Sequence, residues 1–236
     1  VAQPIKVMVI GAFGKMGALS VTTLQADPVF EVVATVGRNE NVHGLLQSHA
    51  PDVVLDFTLP DAVYGHAKMI IEYGAHPVIG TSGLDADQIT QLQALAQPKQ
   101  LGGLIVPNFS ITAVLMMRFA AEAATVLDKV EIVELHHAQK VDAPSGTATK
   151  TAALIQAARA RPDAKEACKQ METVDITSVR LPGIFGHQAV VFEGVGETLT
   201  IKHDAMSREA MMPGVRLACQ QVLTLRELYY GLDCLL

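Results

Sequence analysis

The first half of the chain alternates short aliphatic runs with longer amphipathic segments. The runs are rich in β-branched residues and have the length of buried parallel strands. Strands are predicted at 5–10, 30–36, 53–58, 76–79 and 104–106, and helices at 18–26, 60–73 and 85–96. Strands separated by helices of this length indicate βαβ units and a parallel sheet.

The pattern changes after residue 108. Helices are predicted at 111–127 and 145–161, a strand at 130–136, and a polar surface loop around 162–165. Three further strands, at 173–180, 188–193 and 197–203, are separated by Gly-rich turns and are predicted to pair antiparallel as hairpins. A final helix is predicted at 213–228, with a proline in its first turn. We therefore expect an α/β part followed by an α+β part with a mixed or antiparallel sheet.

Composition narrows the class of protein. The 236 residues suit one large domain or two small ones. Half are hydrophobic and 18% are charged, below the roughly 25% of typical soluble domains. The net charge is −6 with no long basic run, which argues against a nucleic-acid partner. Tryptophan is absent and aromatics are 5%, so aliphatic residues must fill the core, as in helices packed on a parallel sheet.

The three cysteines are too few and too scattered for a disulfide framework or a zinc cluster. Their odd number fits a reducing cytosol. The longest apolar stretch, 104–127, is interrupted by polar residues and falls short of the roughly 20 residues needed to span a bilayer. The first residues show no basic targeting region. We expect a cytoplasmic protein that binds no membrane.

A glycine motif follows the first predicted strand. Gly11, Gly14 and Gly17 form a G-x-x-G-x-x-G variant of the dinucleotide fingerprint, at the start of the first helix. Gly11 permits the tight turn, Gly14 permits a close approach to a pyrophosphate, and Gly17 permits close packing of helix and strand. The helix N-terminus attracts the phosphates. A tight turn without a ligand is the alternative.

The fingerprint also predicts an acidic residue about 20 positions later, to bind the ribose 2′-hydroxyl. The second strand instead ends in Gly37, Arg38 and Asn39, and Glu40 is expected to lie past the contact position. A cation at Arg38 can pair with a 2′-phosphate, which favours NADP(H). The alternative is an arginine on a solvated turn.

The most informative segment follows the strand at 130–136. His136, His137 and Lys140 lie at its end and in the next loop, where histidine can transfer protons near neutral pH and lysine is a compact cation. Ser145, Gly146 and Thr147 then open a helix, whose N–H groups and hydroxyls can hold a carboxylate. Proton donors beside an anion site indicate chemistry on a small acid.

Other interpretations of this segment are weaker. A metal site at His136 and His137 is disfavoured because neighbouring strand residues point to opposite faces and no third ligand has zinc spacing. Ser145 lacks a nucleophile elbow and is expected to cap the helix. A loop with no chemical role would account for a single histidine, but it accounts poorly for two histidines and a lysine together. The remaining histidines of the first half are expected to be surface or packing residues: His43, His49, His66 and His76.

Thirteen consecutive positions, 136–148, match the pattern H-H-x-x-K-x-D-A-P-S-G-T-A. This segment resembles the signature of the 4-hydroxy-tetrahydrodipicolinate (dihydrodipicolinate) reductase family. The resemblance extends over essentially the full chain, in order, through the segments 11–17, 56–58, 80–83, 108–110, 180–186, 194–197 and 203–208.

The resemblance implies an NAD(P)H-dependent oxidoreductase that reduces a cyclic dicarboxylate in the diaminopimelate pathway of lysine biosynthesis. His136 would be the proton donor and Lys140 a second donor. His137 would contact substrate, and Gly146 and Thr147 would bind its carboxylate. The implied cofactor-binding residues are Gly11, Ala12, Phe13, Gly14, Lys15, Met16, Arg38, Gly80, Thr81, Ser82, Val106, Pro107, Asn108 and Phe109.

The resemblance also implies a domain plan. Residues 1–108 and 214–236 would form a Rossmann-type dinucleotide-binding domain, and 109–213 a substrate-binding and oligomerisation domain of a homotetramer. Hinges would lie at 108–109 and near 212–213. Many members have an acid where Gly37 stands, so NADPH is the expected cofactor, with NADH weaker, and no metal is expected. A different two-domain dehydrogenase and a non-catalytic nucleotide sensor are the alternatives.

Overall fold

A computed structural model describes residues 3–170 and 173–236. Within these residues the chain forms ten strands, eight α-helices and several short 3₁₀ turns. The strands are β1 (Ile5–Ile10), β2 (Phe30–Val36), β3 (Val53–Asp56), β4 (His76–Ile79), β5 (Gly103–Ile105), β6 (Lys129–His136), β7 (Asp175–Arg180), β8 (Gly186–Gly194), β9 (Glu197–Ala205) and β10 (Leu228–Tyr230). The helices are α1 (Lys15–Gln25), α2 (Val42–His49), α3 (Val63–Tyr73), α4 (Ala86–Ala96), α5 (Ile111–Ala123), α6 (Gly146–Arg159), α7 (Glu166–Lys169) and α8 (Met212–Gln221).

The chain divides into two compact units. One unit combines Val1–Phe109 with Met211–Leu236, and the other is Ser110–Ala210. The first unit contains a six-stranded sheet in the order β10-β5-β4-β3-β1-β2. Every neighbouring pair in that sheet is parallel. The predicted Rossmann-type parallel sheet is therefore confirmed.

The four central strands of the first unit, β1, β3, β4 and β5, are buried on both faces along most of their length. In β1, Val7, Met8, Val9 and Ile10 are each at most 1% exposed. Successive side chains point to opposite faces of a sheet, so both faces must be covered, as they are in parallel sheets flanked by helices. Aliphatic side chains from α2, α3 and α4 pack against the strands, which agrees with the low aromatic content.

The second unit contains a four-stranded mixed sheet in the order β7-β6-β8-β9. The pairs β6–β8 and β8–β9 are antiparallel, and β8 and β9 form the predicted hairpin. The prediction is wrong for β7, which pairs parallel with β6. The connection from β6 to β7 passes through α6 and α7, and a crossover of that length allows the parallel pairing that a short hairpin turn does not. With this sheet the predicted fold class is confirmed.

Four elements differ most from the prediction: α2, α7, α8 and β10. Helix α2 falls in a segment with no predicted element, and its short length gives a weak periodic signal. Helix α7 interrupts the polar segment after Pro162. The last helix ends at Gln221 rather than 228, and β10 then joins the edge of the parallel sheet beside β5. Among the described residues, no helix is long and apolar enough to cross a lipid bilayer.

Candidate active site

The glycine loop carries the chain from β1 into α1 through a close backbone contact. Gly11 has a φ of +76°, a left-handed conformation that favours glycine. A Cβ on Gly17 would lie 2.1 Å from the Gly11 carbonyl oxygen, so a larger residue does not fit. A Cβ on Gly14 would meet that oxygen at an ordinary 3.4 Å. The structure therefore requires glycine at the two ends of the motif but not at Gly14, where the fingerprint places a pyrophosphate.

An open cleft of about 610 Å³ lies beside this loop. The residues that line it include Gly11, Phe13, Gly14, Gly37, Arg38, Glu40, Phe57, Thr58 and His66. Phe13 is 76% exposed. Glu40 lies in the cleft rather than beyond it, because its carboxylate folds back to accept the Gly37 N–H. The end of β2 thus presents a cation and an anion to the same cleft.

The N-terminus of α1 fits a phosphate-bearing cofactor. The helix begins at Lys15, and its N-cap residue, Gly14, has no side chain to occupy the first N–H groups. Its first turn carries no acidic side chain. Unpaired N–H groups and the positive end of the helix dipole favour an anion at this position. In the same segment Ala12 is buried and Met16 is half-buried.

The buried carboxylate of Asp56 ties together the loops that follow β3 and β4. Its Oδ1 accepts the N–H and hydroxyl of Thr58 at 2.9 and 2.7 Å and the hydroxyl of Thr81 at 2.6 Å. Its Oδ2 lies 2.9 Å from Nδ1 of His66. The expectation that His66 is an isolated surface or packing residue is therefore wrong, since it belongs to a polar cluster at the cleft.

The other predicted cofactor residues lie at the carboxyl ends of β4 and β5. A Cβ on Gly80 would lie 2.2 Å from the Phe57 ring and 2.8 Å from the Phe109 ring. Those two rings pack with their centroids 5.5 Å apart. Ser82 and Pro107 are exposed, Asn108 is half-buried and Val106 is buried. Ligands of open parallel sheets bind at this edge, so the first unit brings most of the predicted residues together there.

In the second unit, strand β6 ends in a hydrogen-bonded histidine. The carboxylate of Glu134, which is fully buried, accepts a hydrogen bond from Nδ1 of His136. Burial lowers the pKa of His136, and the charges of Lys140 and Arg180 lower it further, against the opposing effect of Glu134. Burial raises the pKa of Glu134, but hydrogen bonds from Arg180, Ser178 and His136 outweigh it and hold the pKa below its ordinary value.

Arg180, from β7, links this carboxylate to the loop that carries Lys140. Its Nη2 donates to Glu134 Oε1 at 2.9 Å and to the carbonyl of Asp142 at 2.6 Å. Nζ of Lys140 donates to Asp142 Oδ1 at 2.8 Å, and this bond lowers the pKa of Asp142. The structure therefore connects the two predicted proton donors, His136 and Lys140, through one network.

The predicted carboxylate site follows directly in the chain. Helix α6 begins at Gly146, and Ser145 caps it by accepting the N–H of Ala148 at 3.2 Å. This confirms the predicted capping role. Gly146 and Thr147 lie in the first turn, where helix N–H groups attract anions. Nδ1 of His137 is buried and has no hydrogen-bond partner among the described residues. Within the same residues, no three His, Cys, Asp or Glu side chains form a metal-binding group.

The sequence alone assigns no role to Asp56, Glu134 or Arg180. The sequence does offer a signal for the two carboxylates. Asp56 ends a run of aliphatic strand residues, and Glu134 lies between two aliphatic residues of a predicted strand. A charged residue within a buried strand needs a partner. Arg180 lies 46 residues from Glu134, a separation that spacing rules do not connect.

Comparison with known proteins identifies the family. Residues 5–109 match the model "Dihydrodipicolinate reductase, N-terminus" and residues 112–236 match "Dihydrodipicolinate reductase, C-terminus". The chain belongs to the dihydrodipicolinate reductase family. The resemblance seen in the sequence is thereby confirmed, as is the expectation of an oxidoreductase with a Rossmann-type fold.

Full-length relatives of this family are similar to the chain. A 4-hydroxy-tetrahydrodipicolinate reductase of Legionella pneumophila (strain Paris) is 47% identical over 240 residues, covering 98% of this chain and 99% of the relative. One of Coxiella burnetii (strain Dugway 5J108-111) is 46% identical over 237 residues, with the same coverage. A solved dipicolinate-bound dihydrodipicolinate reductase from Paenisporosarcina sp. TG-14 is 37% identical, with a TM-score of 0.88, covering 99% of this chain and all of that one.

Proposed function

We propose that the protein reduces (2S,4S)-4-hydroxy-2,3,4,5-tetrahydrodipicolinate (dihydrodipicolinate) to tetrahydrodipicolinate, a step of the diaminopimelate route to lysine. The observation that carries the proposal is the network at the end of β6. It holds His136 and Lys140 immediately before the N-terminus of α6. Membership of the family and the full-length similarity to curated reductases support the same activity.

The second unit is proposed to bind and protonate the substrate. Gly146 and Thr147, in the first turn of α6, would hold one substrate carboxylate. His137 would contact the substrate, and the charge of Lys140 would oppose the negative charge that develops on the ring. His136, at the end of β6, would donate the proton to the carbon next to the one that is reduced. The dipicolinate bound to the Paenisporosarcina enzyme is a planar analogue of such a dicarboxylate.

The first unit is proposed to bind the dinucleotide, which supplies the hydride when bound. The glycine loop 11–17 and the N-terminus of α1 would hold the pyrophosphate. Arg38 is exposed in the cleft and would pair with a 2′-phosphate. This contact of Arg38 is what favours NADPH over NADH, since a 2′-phosphate is present only in NADPH. The carboxyl-edge residues 80–82 and 106–109 would surround the nicotinamide end.

We also propose a cytoplasmic homotetramer. All three cysteines are free thiols, which suits a reducing compartment. The outer strand β9 is exposed along most of its length, and Leu199 is 43% exposed. An exposed edge strand with apolar side chains favours pairing with another copy.

The decisive experiment couples the protein to the synthase that makes its substrate. We expect rapid loss of reduced-nicotinamide absorbance that depends on the synthase product, with a higher kcat/KM for NADPH than for NADH. Dipicolinate should inhibit competitively against the product of the synthase. If folded protein oxidises neither cofactor, the reductase assignment is wrong and a nucleotide-sensing role takes its place.

Arg38 provides a separate test of the cofactor preference. Arg38→Ala should raise KM for NADPH about 10- to 100-fold, because a charge-assisted pair is lost, and leave KM for NADH nearly unchanged. The measurement is steady-state kinetics with each cofactor. Arg226→Ala, at an exposed arginine of the same unit, is the matched control. An equal effect of Arg38→Ala on both cofactors would contradict the proposed 2′-phosphate contact.

A further inference from the structure

The buried carboxylate of Glu134 accepts hydrogen bonds from three side chains. Its side chain is 0% exposed. It accepts from Nδ1 of His136, from Nη2 of Arg180 and from the side chain of Ser178. A carboxylate buried with this set of donors remains ionised. An ionised carboxylate only accepts hydrogen bonds, so Nδ1 of His136 must carry the proton.

Arg180 extends the same network to the neighbouring loop. Nη2, which donates to Glu134, also donates to the carbonyl of Asp142 at 2.6 Å. Nε donates to the carbonyl of Lys140 at 3.4 Å. The planar fork of arginine suits several fixed acceptors, which a lysine would not satisfy together. The side chain of Arg180 is 19% exposed, so these contacts are largely sheltered from water.

We propose that Glu134 and Arg180 are a positioning pair. Glu134 fixes the Nδ1–H tautomer of His136 and stabilises its protonated form, and Arg180 orients that carboxylate and holds the Lys140 loop beside it. The kinetic consequences rest on the proposed reductase function, whereas the tautomer does not. Neither residue is proposed to touch substrate.

The groups that face His136 explain why one carboxylate matters. Strand β6 supplies Glu134, β7 supplies Arg180, and the following loop supplies Lys140. On the other side β8 presents Gly186, where a Cβ would lie 3.3 Å from Nε2 of His136. Two cations and one anion therefore surround the imidazole. Without the carboxylate of Glu134, the protonated ring of His136 would face only positive charge. The ring would then lose its second proton, the one on Nε2, at a lower pH.

Glu134→Gln tests the proposal because it keeps the shape and removes the charge. Arg180 can only donate, so the new amide must turn its oxygen toward Arg180 and its NH₂ toward His136. Nδ1 of His136 then becomes the acceptor, and the neutral ring changes to the Nε2–H tautomer. We expect kcat near neutral pH to fall about 100-fold or more with little change in KM. The pH at which kcat/KM declines should move lower by about one unit or more.

The control is Glu131→Gln, on the same strand. Glu131 is exposed and accepts a hydrogen bond from the hydroxyl of Thr177 at 2.7 Å. Like Glu134, it therefore accepts from a side chain of β7, but it does not contact His136. This variant should leave the kinetics and the pH profile unchanged. A similar loss of kcat in both variants would show that Glu134 acts only on the stability of the sheet, and would overturn the proposal.

Nitrogen NMR of imidazole-labelled protein decides the tautomer without any assay of activity. The His136 signal is identified as the one lost in His136→Gln. In the unaltered chain it should show Nδ1–H in the neutral state, and in Glu134→Gln it should show Nε2–H. An Nε2–H ring in the unaltered chain overturns the proposal even if Glu134→Gln does not fold. An Nδ1–H ring in a chain that lacks reductase activity would instead contradict only the proposed function.

Discussion

Replacing His136 by glutamine should lower kcat about 100- to 10,000-fold and leave KM for the dicarboxylate nearly unchanged. The reason is that the variant removes a proton donor while retaining the groups proposed to bind the substrate. Glutamine can still donate to Glu134, which also keeps its hydrogen bond from Arg180. Steady-state kinetics with substrate made in situ measures the effect.

The matched control is His49→Gln, at an exposed histidine in the last turn of α2. It should change neither kcat nor KM. Circular dichroism and thermal unfolding establish that both variants fold. A His136→Gln enzyme with kcat within about threefold of the parent would assign the proton to another donor, because general acid catalysis is worth far more than that.

Gly17→Ala should lower the free energy of unfolding of the chain by about 3 kcal/mol. The added Cβ would lie 2.1 Å from the oxygen and 2.7 Å from the carbon of Gly11, and 2.8 Å from Cα of Ala12. All three atoms belong to the backbone, so no side-chain rotation relieves the contact. The loop must move, and affinity for the dinucleotide should fall with stability. Urea unfolding followed by circular dichroism, together with titration of NADPH, measures both.

Gly65→Ala is the control for this substitution. Gly65 also lies inside a helix, α3, but a Cβ there would meet nothing within 4 Å. Alanine at an open helical position stabilises by about 0.5 to 1 kcal/mol relative to glycine. The two substitutions should therefore shift the urea midpoint in opposite directions. Stabilisation by both would show that the loop does not make the close contact described.

Most of the first unit could be predicted from local sequence because its strands are short, aliphatic and bounded by turn residues. β1, β2 and β4 have the predicted bounds. β10 could not be predicted, since it has three residues and the helical spacing of apolar positions continues through Val222, Leu225 and Leu228. The direction of β7 depends on which strand it joins, and strand pairing is a long-range property that periodicity does not encode.

The candidate site also combines contacts that the sequence predicts with contacts that depend on the fold. His136 and Lys140 are four residues apart in a distinctive segment, so their proximity follows from the sequence. The link between Glu134 and Arg180 does not, because it is made by strands β6 and β7 across the intervening helix α6. The position of Glu40 in the cleft depends on a hydrogen bond back to Gly37, which residue types alone do not specify.

The first unit is built from two separate stretches of the chain, and this constrains the order in which a nascent chain can fold. Ser110–Ala210 is continuous, so all of its elements are available before α8 and β10 have been made. The first unit must wait for α8 and β10, which are synthesised after Ser110–Ala210. Until β10 arrives, β5 is an open sheet edge with unpaired backbone groups. A chain cut short before β10 would therefore keep β5 as an open edge, where the backbone of another chain can pair with it.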